Sequence, residues 1–126
     1  MAQELILIVE DDERSRKLLR DVLEFHGYRT LEADTGELGV DIAQRELPQL
    51  ILMDIRLPGI DGVAALGLLR GNEITAAIPV LAVTASVMRG DEHRFLSAGF
   101  NGYISKPIDV SAFADAVRDQ LSLTGT

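Results

Sequence analysis

The sequence predicts an α/β fold built around a parallel sheet, on three observations. Apolar, strand-like runs alternate with amphipathic, helix-like segments along the whole chain, the pattern of successive βαβ units. Three of the runs, Leu5–Val9, Leu50–Met53 and Val80–Val83, are apolar without interruption, as strands are when helices cover both faces of their sheet. Four runs end in polar residues suited to phosphate chemistry: Glu10-Asp11 after the first, Asp54 after Leu50–Met53, Thr84 after Val80–Val83, and Lys106 after Tyr103–Ser105. The carboxyl ends of parallel strands share one edge, where ligands bind, so these residues are expected to meet at one site.

In chain order, Leu5–Val9 is the first strand. Glu13–His26 carries Leu18, Leu19, Val22 and Leu23 at helical spacing and stops at Gly27. Tyr28–Ala33 alternates, with Tyr28, Thr30 and Glu32 on one side and Arg29, Leu31 and Ala33 on the other, and reads as an edge strand. Gly36–Glu46, with Leu38, Ile42 and Ala43, is a second helix, and Pro48 precedes the strand Leu50–Met53. Val63–Arg70, with Ala65, Leu66 and Leu69, ends at Gly71, and Pro79 precedes Val80–Val83. Val87–Ala98, closed by Gly99, leads to Tyr103–Ser105, and Asp109–Leu121 places Val110, Phe113, Val117 and Leu121 on one face. Gly39 and Gly67 lie inside expected helices, each at a cost of about 1 kcal/mol relative to alanine.

These five strands and five helices use up the chain, leaving Ser122–Thr126, too short for an output domain. A length of 126 residues suits one domain with one core and no linker or repeat. The chain has no cysteine, which fits a reducing compartment. The first residues lack a basic n-region, and their apolar run breaks at Glu10, too early for a signal sequence or a membrane span. A cytoplasmic protein is expected. With a net charge of −8 and scattered basic residues, no basic face offers itself to nucleic acid. Of the twelve basic residues only Lys17 and Lys106 are lysine, which singles out a compact ammonium at Lys106 where guanidinium is the chain's habit.

The acidic run Glu10-Asp11-Asp12-Glu13, taken alone, is the ordinary composition of a helix start. Asp54 changes its meaning, because a carboxylate ending a buried strand caps no helix. Crowded carboxylates raise one another's pKa unless a cation neutralises them. A hard, oxygen-liganded ion such as Mg²⁺ suits them, since it accepts one or two carboxylates and leaves room for a phosphate. Thr84 and Lys106 add a hydroxyl and an ammonium for phosphoryl oxygens. No P-loop and no Cys/His zinc cluster occurs, and His26 and His93 fall in helices away from the strand ends.

The segments Ile8–Asp12, Leu52–Gly62, Val83–Ala85 and Tyr103–Pro107 resemble the receiver domain of two-component response regulators, in order and spacing, over essentially the whole chain. The resemblance implies a flavodoxin-like doubly wound sheet with strand order 2-1-3-4-5. It implies that Asp54 accepts a phosphoryl group from a histidine kinase or phosphotransfer protein. Asp11, Asp54 and the backbone carbonyl of Arg56 would ligate Mg²⁺, with Glu10 acting through water, while Lys106 pairs with the phosphoryl group and Thr84 hydrogen-bonds to it. Pro107 occupies a position that often follows a cis peptide, and Tyr103 matches an aromatic that turns inward as Thr84 moves. Ser86–Glu92 with Ala98–Phe100 further resembles receivers of hybrid kinases and stand-alone cell-cycle regulators of the DivK type.

The expected product is a stand-alone, single-domain receiver over residues 1–126, not an enzyme beyond its own phosphorylation and slow dephosphorylation. It would signal to a downstream protein effector through the face of helix 4, strand 5 and helix 5, rimmed by Arg89, Asp91, His93 and Arg94. A receiver cut from a hybrid kinase or larger regulator is the alternative, although the methionine start favours a complete small protein. A phosphohydrolase of the haloacid dehalogenase type also uses a strand-end Asp and Mg²⁺, but needs a second Asp two residues on, where this chain has Arg56.

Overall fold

The computed structural model describes residues 4–85 and 91–124. Five parallel strands, β1 (Leu5–Val9), β2 (Arg29–Ala33), β3 (Leu50–Asp54), β4 (Val80–Thr84) and β5 (Gly102–Ser105), form one sheet in the order β2-β1-β3-β4-β5. The helices between and after them are α1 (Glu13–Phe25), α2 (Gly36–Glu46), α3 (Gly62–Arg70), α4 (Asp91–Ala98) and α5 (Val110–Thr124). The expected flavodoxin-like topology is therefore the observed one.

Side chains alternate across a strand, so the unbroken apolar runs split between two cores. Leu7, Val9, Ile51, Met53, Val80 and Ala82 face Val40 and Ala43 of α2, Leu66 and Leu69 of α3, and Phe95 of α4. Ile6, Ile8, Leu50, Leu52, Leu81, Val83 and Ile104 face Leu19 and Leu23 of α1 and Phe113, Val117 and Leu121 of α5. The register pairs Val9 with Met53 and Asp54 with Val83, which brings the polar residues after β1 beside the end of β3.

Edge strand β2 is shorter than the expected Tyr28–Ala33, because Tyr28 packs beneath the α1/α5 core instead of pairing. Strands β3 and β4 each take in one more residue, Asp54 and Thr84, both still in the ladder. Helix α5 runs about a turn beyond Leu121. The expected start of the fourth helix at Val87 lies outside the described residues, as does most of the Ser86–Glu92 segment.

Caps fix the helix starts. Asp12, Thr35 and Asp61 accept hydrogen bonds from the N–H groups of Ser15, Leu38 and Ala64 at 2.9, 3.1 and 2.8 Å. Gly39 is explained by contact: a Cβ there would sit 2.7 Å from Val9 Cγ2. Gly67 has no such reason, with nothing within 4 Å of a Cβ.

Candidate functional site

The acidic run after β1 divides its labour. Asp12 is the α1 cap, and its carboxyl is held below the usual range by the Ser15 bonds. Glu10 points the other way, 1% exposed, and accepts from Asp12 N–H at 3.0 Å and from Lys106 Nζ at 2.6 Å. Asp11 is exposed at the mouth of the site. Oxygens of Glu10, Asp11 and Asp54 all lie within 4.8 Å of one another. Glu10 and Asp11 are thus brought together with Asp54, more than forty positions away in sequence.

Asp54 ends β3 with 7% of its surface exposed. One oxygen accepts from Arg56 N–H at 3.1 Å and the other from Lys106 Nζ at 3.3 Å. Lys106 follows β5, its N–H bonded to Thr84 O at 2.9 Å, and precedes a cis peptide to Pro107. Thr84 is buried at the end of β4. Arg56 is exposed beside Asp54. Gly62 is required here, because a Cβ on it would collide with the carbonyl oxygen of Asp54; the Asp54–Asp61 loop thereby folds back on the strand end, closed by Gly62 N–H to Ile55 O at 2.9 Å.

The electrostatics follow from burial and crowding of these charges. Burial pushes Glu10 up, opposed by its bonds to Lys106 and Asp12 and reinforced by the Asp54 carboxylate. For Lys106 burial works against the charge, but the bond to Glu10 and the charges of Asp54 and Glu10 outweigh it and raise its pKa. One ammonium thus faces two buried carboxylates, one more than it can neutralise, and the exposed Asp11 adds a third. Three carboxylates with hard oxygen donors and no nitrogen or sulfur ligand match what Mg²⁺ accepts and zinc does not favour.

Tyr103 is half-buried, its ring 6.1 Å from that of Phe95 and tilted at 55°. It is packed on the α4 side of the sheet. His26 and His93 are exposed and apart from the acidic cluster. A cavity of about 490 Å³ opens at the opposite, amino end of the strands, against Glu4, Gln49, Pro79 and Leu121. The acidic cluster lies at the carboxyl end instead, with Asp11 exposed and Glu10 and Asp54 buried behind it.

Two residues at the site escaped the sequence reading. Arg16 of α1 donates to the backbone carbonyl of Glu10 at 2.9 Å while pairing with Glu32 of β2. Glu37 of α2 lies over Gly59, whose φ is +74°, and accepts from Ile60 N–H at 3.4 Å, bracing the Asp54–Asp61 loop. Only the fold brings these pairs together; Arg16 and Arg20 at helical spacing opposite a lone strand glutamate were the one available sign.

A sequence model of the response regulator receiver domain matches residues 6–118. The chain belongs to that family. Among similar proteins, the polar-differentiation response regulator DivK of Brucella ovis is 43% identical over 116 residues, covering 92% of this chain and 94% of DivK. The receiver domain of a sensor histidine kinase of Pseudomonas aeruginosa PAO1, solved with magnesium coordinated in its active-site cleft, is 34% identical. Its TM-score is 0.85, covering 99% of this chain and 100% of the other. The receiver domain of a signal transduction histidine kinase of Syntrophus aciditrophicus is 32% identical at a TM-score of 0.87, covering 97% and 92%. The receiver is thus a signalling protein of a family that is phosphorylated on aspartate. Receivers of this family bind Mg²⁺ and work with histidine kinases or phosphotransfer proteins and effectors. Among the described residues no helix is long and apolar enough to cross a membrane.

Proposed function

We propose that this receiver is a stand-alone cytoplasmic response regulator that takes its phosphoryl group on Asp54. The observation that carries the reading is the meeting of Glu10, Asp11, Asp54 and Lys106 at the carboxyl edge of the sheet. Of the three carboxylates, Asp54 is the one that ends a strand, with its oxygens oriented by Arg56 N–H and Lys106. An Asp54 oxygen attacks phosphorus, the donor's phosphorus–nitrogen bond breaks, and the histidine keeps the electron pair and takes up a proton. Asp11, Asp54 and the Arg56 carbonyl would hold Mg²⁺, with Glu10 acting through water. When bound, the ion neutralises the carboxylates and the phosphoryl oxygens. Lys106 exchanges carboxylate for phosphoryl oxygen, and Thr84 supplies a hydroxyl to the same group.

Likeness to DivK supports the stand-alone reading, and the chain would then signal to a protein effector through α4, β5 and α5, with Tyr103 as the aromatic switch. The same domain would do the same chemistry within a histidine kinase, as the Pseudomonas and Syntrophus relatives do not stand alone; the codons flanking this chain decide between the two. The catalytic role is tested by incubation with acetyl phosphate and Mg²⁺. Wild type should gain a base-labile label and Asp54→Asn should gain none. Equal labelling of Asp54→Asn overturns the assignment.

A further inference from the structure

The Asp11 carboxylate makes no hydrogen bond or ion pair among the described residues. Its position therefore depends on the backbone that carries it, the three-residue turn between β1 and α1. That turn is held at Glu10, whose N–H donates to Ala33 O of β2 at 2.9 Å and whose carbonyl accepts from Arg16 Nη1 at 2.9 Å. The same guanidinium uses Nε to bond Glu32 Oε1 at 3.1 Å, and Arg20 Nη1 holds the other oxygen of Glu32 at 3.1 Å.

Most ion pairs on a helix surface contribute little, and Lys17–Asp21, with side chains 64% and 50% exposed, is of that kind. Arg16–Glu32 differs in two ways. Its side chains are only 21% and 30% exposed, and the guanidinium also grips a backbone oxygen at the head of the acidic turn. A planar fork can serve both acceptors at once, which a lysine cannot do. We propose that Arg16 is a positioning residue for the metal site: braced by Glu32, it fixes the Glu10 carbonyl and so sets the Asp11 carboxylate against Asp54. The proposal rests on the reading of Asp11 and Asp54 as magnesium ligands.

Position and charge predict opposite signs. As a nearby cation, Arg16 repels a metal ion, so its removal would tighten Mg²⁺ binding. As a support behind a ligand, its removal loosens binding by roughly tenfold, the lower end for outer-shell partners. The experiment titrates Mg²⁺ alone into the labelled protein and follows backbone amide shifts. Arg16→Met and Arg16→Lys are both expected to weaken binding about tenfold, with Glu32→Ala moving the same way and the Arg16→Met/Glu32→Ala double variant no weaker than Arg16→Met. Arg20→Met removes the other partner of Glu32 without touching Glu10 and should stay within about twofold of wild type. A second readout needs no metal: the Asp12 amide, bonded to Glu10 Oε2, should exchange with solvent about tenfold faster in Arg16→Met while β3 amides keep their rates.

Unchanged or tighter Mg²⁺ binding in Arg16→Met overturns the proposal, as does an equal loss in Arg20→Met, which would trace the effect to general packing of α1 on β2. Unchanged Asp12 exchange in Arg16→Met also overturns it. Asp11→Ala separates this from the underlying reading: if that variant binds Mg²⁺ as wild type does, the ligand assignment itself has failed.

Discussion

Lys106 shows how much one side chain decides. Its ammonium lies 2.6 Å from Glu10 and 3.3 Å from Asp54, and a desolvated pair of this sort contributes little net stability. In the proposed reaction its value would be that a compact charge can move from carboxylate to phosphoryl oxygen without rebuilding a planar fork. The sequence marked Lys106, Asp54, Glu10 and Asp11 for the site, but not how the acids of Glu10-Asp11-Asp12-Glu13 divide their hydrogen bonds. Asp12 went to the helix cap and Glu10 to Lys106 because the chain turns between them, a division that needs coordinates. Two outcomes follow for single residues. Asp11→Ala should weaken Mg²⁺ binding by roughly tenfold or more, since the proposed direct ligand is gone; calorimetry reads it, the chain having no tryptophan. Glu10, raised by burial, holds its proton to higher pH than an ordinary glutamate. Mg²⁺ favours the ionised form, so affinity should climb with pH through a range above the usual 4.5 for a glutamate. Glu10→Gln should lose that rise, and an unaltered pH profile in Glu10→Gln would assign it to another group.

Among the elements, α2 and α3 each carry an internal glycine that the sequence could price but not explain. Gly39 faces the methyls of Val9, buried on a central strand and stiff at χ1. Gly39→Ala should therefore destabilise the domain by about 1 kcal/mol, overpacking exceeding the gain in helix propensity. Gly67 meets open space, so Gly67→Ala should stabilise by about 0.5–1 kcal/mol. Denaturant midpoints for the two variants check both signs at once. The proposed output elements pose a different question. Thr84 ends β4 and pairs with Ser105 of β5, the strand that carries Tyr103 against Phe95 of α4, so the proposed switch at Thr84 would act through β5. A bound phosphoryl group shifts this equilibrium only through contacts that differ between states. Thr84→Ala should accept phosphate yet show weak amide shifts across α4, β5 and α5 with beryllofluoride; full shifts there in Thr84→Ala would remove Thr84 from the switch.

For the molecule as a whole, hydrophobic patterning carried the architecture because it is a property of neighbouring residues. Unbroken runs mark strands buried on both faces, and Leu5–Val9 serves two cores through alternate side chains. Strand-end chemistry was legible for the same reason, since parallel strands have one carboxyl edge. Cross-chain supports were not: Arg16 with Glu32, Glu37 over Gly59, and Gly62 against the Asp54 carbonyl depend on which elements become neighbours. The central claim is that this edge makes Asp54 an acyl-phosphate-forming carboxylate. Its most direct test is chemical trapping: the protein is phosphorylated with acetyl phosphate and Mg²⁺, reduced with borohydride, digested and sequenced by mass spectrometry. An acyl phosphate is reduced to the alcohol, so homoserine should stand at position 54 and nowhere else, and only when Mg²⁺ is present. Homoserine at Asp11 or another acid, with Asp54 intact, would contradict the account.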